Sequence, residues 1–313
     1  MKANLVCKGG GVKGIALVGA ISHLEQQGYE WNNLAGTSAG SMVAALLAVG
    51  YNSKEIKEIL YEVDFSNFKG NTSPSFFYLS EITRLLLKKG IHSGEYIEDF
   101  MREKLKAKGK LKFKDVSKNG ISRLKIIASD VTRKKLLVLP DDLVDYGLDP
   151  LDFEIATAVR MSTCIPFYYT PISLNYNNKK CFIVDGGLLS NFPIWLFDDE
   201  EYYYPTFGLN LTDEDNLDLD THTNIITYFL DVVFTSLATN EDVYYREKDF
   251  ARIINIPTLN INPTDFNLSK EDKDKLFKSG FNSAKSFIKD WNFDRYLSRY
   301  CTRKSIYKIK AMF

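Results

Sequence analysis

Ser38 stands in Gly36-Thr37-Ser38-Ala39-Gly40, a literal GxSxG. A serine hydroxyl becomes a nucleophile when a base takes its proton and backbone donors stabilise the oxygen of the tetrahedral intermediate. Between a strand and a helix, such a turn holds the serine at a sharp bend, and glycines on either side avoid steric clash. The pattern alone is weak, because roughly one chain in ten of this length would contain it by chance. Its flanks strengthen it: a short strand-like run, about Glu30 to Leu34, leads in, and the apolar run Ser41 to Val49 leads out.

Gly9-Gly10-Gly11-Val12-Lys13-Gly14 matches GxGxxG and has two readings. One is a dinucleotide fingerprint, with Glu30 about 20 residues on as the ribose acid. The other is an oxyanion hole, built from backbone N–H groups freed by glycine and backed by the N-terminus of the following helix. The serine turn that follows on the second strand favours the oxyanion hole. Asp185, ahead of Gly186-Gly187 at the end of the apolar run Cys181 to Val184, is a candidate base. The chain has three histidines, His23, His92 and His222, and none sits in a glycine-framed turn. Chain order still permits a Ser38, Asp185, His222 triad. A dyad in which Asp185 acts directly on Ser38 explains more of the local sequence.

These groups need a scaffold that presents turns at strand ends. Ala3 to Lys8 reads as a buried strand and Ile15 to Gln27 as a helix, its apolar positions at helical spacing and Gly28 closing it. With the second strand and Ser41 to Val49, the rhythm is strand, turn, helix, repeated, which argues for an α/β sheet covered on both faces. Ser53 to Val63 and Ser93 to Lys106 read as amphipathic helices, with Ser93 as N-cap of the second. Phe65 to Leu79 reads as an aromatic, lid-like segment. Leu124 to Ala128 and Lys135 to Leu139 are strand-like, and Glu154 to Met161 is a short helix. Further on, the pattern gives a helix over 224–240, a strand near Arg252 to Ile256 and a helix from Lys270 to Trp291, opened by a capping box of Ser269 and Asp272. No linker divides the chain, so a single domain over 1–313 is expected, with a motif-bearing core at about 1–200 and a C-terminal part at about 201–313 packed on it.

The order of motifs carries a resemblance. GGGVKG, then GTSAG, then Asp185-Gly186-Gly187 after a strand is similar to the patatin-like phospholipase family of lipid acyl hydrolases. Ala158 to Phe167 (AVRMSTCIPF) resembles that family's ARxSxxxP segment, and Asp185 to Pro193 (DGGLLSNFP) its DGGxxxNxP segment. The resemblance covers about residues 1–200 and implies a three-layer α/β/α fold with a central, mostly parallel sheet. It implies Ser38 as nucleophile and Asp185 as its partner in a dyad without histidine. Gly10, Gly11 and Ala39 would form the oxyanion hole. Lys13 occupies a basic position of the family's loop and would face an anionic head group. The implied reaction is cleavage of phospholipid acyl esters through an acyl-enzyme, with no cofactor and no metal.

Composition fits this reading. The 313 residues carry 40 Lys plus Arg against 40 Asp plus Glu, a balance that gives no field for nucleic acid. Four scattered cysteines make no disulfide framework and no zinc pair, which places the chain in a reducing, cytoplasmic setting. Its longest notable apolar run, Ser41 to Tyr51, is far short of the ~20 residues of a membrane span. Arg102 to Lys118 concentrates basic residues and is expected to touch anionic membrane surfaces peripherally. Phe76, Phe77 and Phe167 are expected to line an acyl pocket, together with Phe65, Phe68, Tyr78, Tyr168 and Tyr169. The sequence leaves the oligomeric state open.

Overall fold

The computed structural model describes residues 1–69, 85, 87–198, 204–213, 228, 232–233, 235–236 and 245–300. Among these residues eight strands form one sheet: β1 (Lys2–Cys7), β2 (Glu30–Thr37), β3 (Leu124–Asp130), β4 (Lys135–Leu139), β5 (Ile172–Tyr176), β6 (Lys179–Asp185), β7 (Thr206–Thr212) and β8 (Ile253–Pro257). Their order is β8-β7-β1-β2-β3-β6-β5, with β4 also paired to β3. The five strands from β8 to β3 run parallel, and β4, β6 and β5 add antiparallel pairs. The mostly parallel sheet and its flanking helices are those the sequence predicts.

The helices that frame the site are α1 (Gly14–Gln26), α2 (Ala39–Val49), α3 (Ser53–Glu62), α4 (Glu95–Ala107), α5 (Ile155–Ser162) and α6 (Lys270–Asp290). Every residue of α2 is buried, as its uniformly apolar sequence requires. Asn52 and Glu55 form a reciprocal capping box on α3, and Ser269 caps α6 by accepting the Asp272 N–H at 3.1 Å. The N-cap of α4 is Gly94 in a left-handed conformation, one residue later than expected, and the Ser93 hydroxyl accepts the Glu95 N–H instead. The second strand also continues beyond Leu34 to Thr37, because Leu34 to Thr37 pair with Leu124 to Ile127.

The arrangement around β3 positions the chemistry. One edge of β3 carries β4, Ile126 to Asp130 facing Leu139 to Lys135. The other edge is shared: β2 occupies it in parallel over Leu124 to Ile127, and β6 in antiparallel over Ala128 to Asp130. The C-terminal ends of β2 and β6 thus meet head-on, with Thr37 opposite Ile127 and Asp185 opposite Ala128. Among the described residues, no helix is long and apolar enough to cross a membrane. The helix expected over 224–240, the greater part of the Phe65 to Leu79 segment, Phe76, Phe77, Tyr78 and His222 lie outside the described residues, apart from a few isolated positions in 228–236 and the turn Phe65–Lys69.

Candidate active site

Ser38 begins where β2 ends. Its backbone has φ 51° and ψ −128°, a conformation that side-chain-bearing residues rarely adopt and that costs on the order of 1 to 3 kcal/mol. Local hydrogen bonds hold it there. The Ser38 carbonyl accepts from the Ser41 hydroxyl at 2.6 Å and the Ser41 N–H at 2.9 Å, and the Thr37 hydroxyl donates to the Ser190 carbonyl at 3.1 Å. The Ser38 N–H donates to the Ser162 hydroxyl oxygen at 2.9 Å, and that hydroxyl donates to the Ile127 carbonyl at 2.6 Å. Ser162 thereby bridges the break in the ladder where β2 gives way to β6. Ser38 also sits ahead of α2, whose free first-turn amides favour negative charge.

Asp185 ends β6, with its side chain buried. One carboxylate oxygen, Oδ1, accepts the Gly187 N–H at 2.8 Å, while Oδ2 has no hydrogen-bond partner among the described residues. Burial drives the carboxyl up to about 7, against smaller lowering effects from the Gly187 N–H and the nearby Ser38 side chain. A carboxyl so placed can take up and return a proton near neutral pH.

The glycine turn closes over the same corner. The Gly9 N–H donates to the Asn191 carbonyl at 3.1 Å, and a Cβ added to Gly9 would stand 2.2 Å from Asn191 Oδ1 and 3.0 Å from Ser38 Cβ. Gly11 has φ +55°, and a Cβ there would lie 2.0 Å from the Pro263 carbonyl oxygen, which accepts the Val12 N–H at 3.0 Å. Among the described residues, neither Gly10 nor Gly11 gives its amide to a backbone carbonyl. A cleft of about 660 Å³ opens from Ser38, Ala39 and Gly11, its walls almost wholly apolar, among them Met42, Leu46, Phe68, Ile97 and Phe266. The described residues that line it include no histidine.

A family model of the patatin-like phospholipases matches residues 5–198. The chain belongs to that family. It is 37% identical over 291 residues to protein YqhO of Bacillus subtilis (strain 168), covering 92% of this chain and 98% of that one. It is 30% identical over 205 residues to the probable lipid hydrolase 463L of Invertebrate iridescent virus 6, covering 61% of each. The fold is similar to that of VipD from Legionella pneumophila, with a TM-score of 0.56 and 19% identity over 92% of this chain and 66% of VipD. At that identity the likeness concerns fold alone.

Within this patatin-like domain several sequence expectations are redrawn. Lys13 does not face the cleft: its side chain is buried, and its ammonium pairs with Asp213 at 2.5 Å. Phe167 is 39% exposed and absent from the cleft walls, whereas Phe65, Phe68 and Tyr169 contribute to them. Glu30 is the first residue of β2, at the opposite end of that strand from the glycine turn, so it cannot serve as a ribose acid there. The basic run is largely neutralised by acids on α4 itself and on other elements. Arg102 meets Glu98, Asp99 and Glu154; Lys104 meets Glu103; Lys108 meets Glu55; Lys112 and Lys114 share Asp152. Gly9 belongs to the glycine turn that the sequence singles out, whereas Ser162 and Pro263 are given no role by it. Only the ARxSxxxP-like segment hinted at Ser162, and nothing in the sequence tied Pro263 to the glycine turn.

Proposed function

We propose that this chain is a lipid acyl hydrolase of phospholipase A type, working through a Ser38–Asp185 dyad. The observation that carries the reading is the convergence of a strained serine and a buried, proton-hungry carboxyl where two strands meet, beside an apolar cleft.

In the first half-reaction Ser38 Oγ attacks the ester carbonyl carbon and its proton passes to Asp185. The carbonyl oxygen becomes an oxyanion, stabilised by the amides of Gly10, Gly11 and Ala39. Collapse breaks the carbon–oxygen bond to the alcohol, which takes the proton from Asp185 and departs as the lysolipid. In the second, water gives a proton to Asp185 and attacks the acyl-Ser38 ester. The fatty acid leaves and Ser38 Oγ recovers its proton. The cleft walls supply the apolar surface against which an acyl chain loses contact with water.

The test combines fluorophosphonate labelling with digestion of a mixed phospholipid extract, followed by mass spectrometry. Wild type should label at Ser38 and release fatty acids and lysolipids. Ser38→Ala should do neither, and Asp185→Asn should fail to release product while folded. A fully active Asp185→Asn variant, or an inactive His222→Ala variant, would sink the dyad.

A further inference from the structure

A second cleft lies at the opposite end of the sheet. Its walls include Lys2, Glu30, Asn33, Lys110, Lys118 and Arg123, and its volume is about 1250 Å³. Lys2 and Glu30 begin β1 and β2, and Arg123 immediately precedes β3, so this is the N-terminal end of the parallel strands. The length of β2 separates it from Ser38 by roughly 20 Å.

Arg123 is the unusual group. Its backbone is fixed, the N–H donating to the Val116 carbonyl and the carbonyl accepting the Leu34 N–H at 2.8 Å. Its Nε is closed off from solvent and has no hydrogen-bond partner among the described residues. Burial lowers its proton affinity, with no carboxylate acting against that effect. Three other arginines meet acids, Arg102 with Glu98 at 2.7 Å, Arg133 with Asp145 at 3.0 Å and Arg252 with Asp198 at 2.7 Å. The buried Arg160 donates to the Ser93 and Thr170 carbonyls, whereas the Arg123 side chain has neither kind of partner among the described residues. Leaving a guanidinium half-buried without an acid is costly, because it cannot shed its charge.

The neighbouring acids do not meet this need. Asp115 accepts the backbone amides of Leu111 and Lys112 at 2.9 and 2.8 Å, and Glu30 is exposed. Lys110 and Lys118 form no ion pair among the described residues, unlike most cations of the 102–118 run, and both line this cleft. Among the described residues four cations therefore face two carboxylates, one of which is engaged by backbone.

We propose that this cleft binds a phosphate-bearing anion, with Arg123 offering its guanidinium fork and Lys2, Lys110 and Lys118 supplying the surrounding positive charge. A planar fork matches phosphate oxygens in pairs, and an excess of two positive charges suits a dianion. The inference does not depend on the hydrolase reading.

The experiment uses the full chain and two probes that separate the sources of phosphate. Pyrophosphate is titrated by calorimetry, and phosphatidylcholine vesicles with or without phosphatidic acid are used for co-sedimentation. Wild type should bind at least one probe saturably. Arg123→Gln should weaken that binding about tenfold or more, the loss expected for one charge-assisted contact. The double variant Lys110→Gln/Lys118→Gln, altered only at surface side chains, should weaken it comparably. Pyrophosphate binding assigns the cleft to a soluble phosphate, and binding to phosphatidic acid vesicles alone assigns it to a lipid head group. Saturable binding of neither probe, or binding unchanged in both variants, overturns the proposal.

Discussion

At the C-terminal ends of β2 and β6, a single carboxyl is enclosed by protein and driven toward neutrality, whereas at the N-terminal ends of β1, β2 and β3 four cations surround an open polar cleft. Both ends withdraw a charged group from water, with different results. Asp185 can relieve the cost by holding a proton, and in the proposed mechanism that proton is the one the acyl transfer moves. Arg123 has no such escape, since a guanidinium stays charged across the accessible pH range, and so it calls for an anion from outside. The same physical penalty underlies the proposed base at one end and the proposed anion site at the other.

The largest effect that should separate the two ends comes from Asp185→Asn. Ester hydrolysis is expected to fall roughly ten-thousandfold, as for other losses of an acyl-transfer base partner. Stability should move the other way. The folded carboxyl titrates at about 7 and an ordinary one at 3.8, so the native state holds an extra proton between those values and its stability falls as pH rises across that window, the full loss being reached above about 7. The variant should therefore be more stable than wild type above pH 7, by up to about 4 kcal/mol, and the difference should vanish as pH falls toward 4. Thermal unfolding across pH reads this directly. Wild-type turnover should decline as pH drops below about 7, when Asp185 already carries its proton. A flat profile from pH 6 to 8 would break the contrast between the two ends.

Next in size is Gly11→Ala. The added methyl group would collide with the Pro263 carbonyl and strain a positive φ, displacing the proposed oxyanion donors. Turnover should drop about a hundredfold, while KM for a short ester changes little. Ser162→Ala removes both hydrogen bonds at the strand junction and should cost about 2 kcal/mol of stability with a tenfold or greater loss of kcat. Calorimetric unfolding and steady-state kinetics separate the two contributions. The smallest expected effect is that of Lys13→Met, which breaks the pair with Asp213 and should cost about 1 kcal/mol without altering head-group preference. A changed lipid profile in that variant would return Lys13 to the substrate side.

The legible part of the molecule is the part written in local sequence. The two strand-turn-helix units, the all-buried α2 and the cap of α6 follow from periodicity and turn chemistry within a dozen residues. Ser38 and Asp185 were visible because each ends a strand beside glycine. What escaped depends on partners remote in the chain. Lys13 is neutralised by Asp213, Gly11 is backed by Pro263, and Lys112 and Lys114 meet Asp152. A charge run looks basic until acids 40 or so residues away fold onto it. Ser162 escaped for the same reason, since its value lies in a junction that exists only after β2, β3 and β6 assemble.

That junction also makes the chain unequally tolerant of changes in length. β3 acts as a ruler: Thr37 is set against Ile127 and Asp185 against Ala128, so a single peptide of β3 fixes how far apart Ser38 and Asp185 stand. Inserting or deleting one residue between Ile126 and Ser129 would offset the two strands by roughly 3.3 Å and turn the following side chains to the opposite face. A residue added to the turn after β3, or to the Asn177-Asn178 turn between β5 and β6, leaves that spacing intact. Variation in length among functional relatives should therefore collect in those turns and spare the centre of β3.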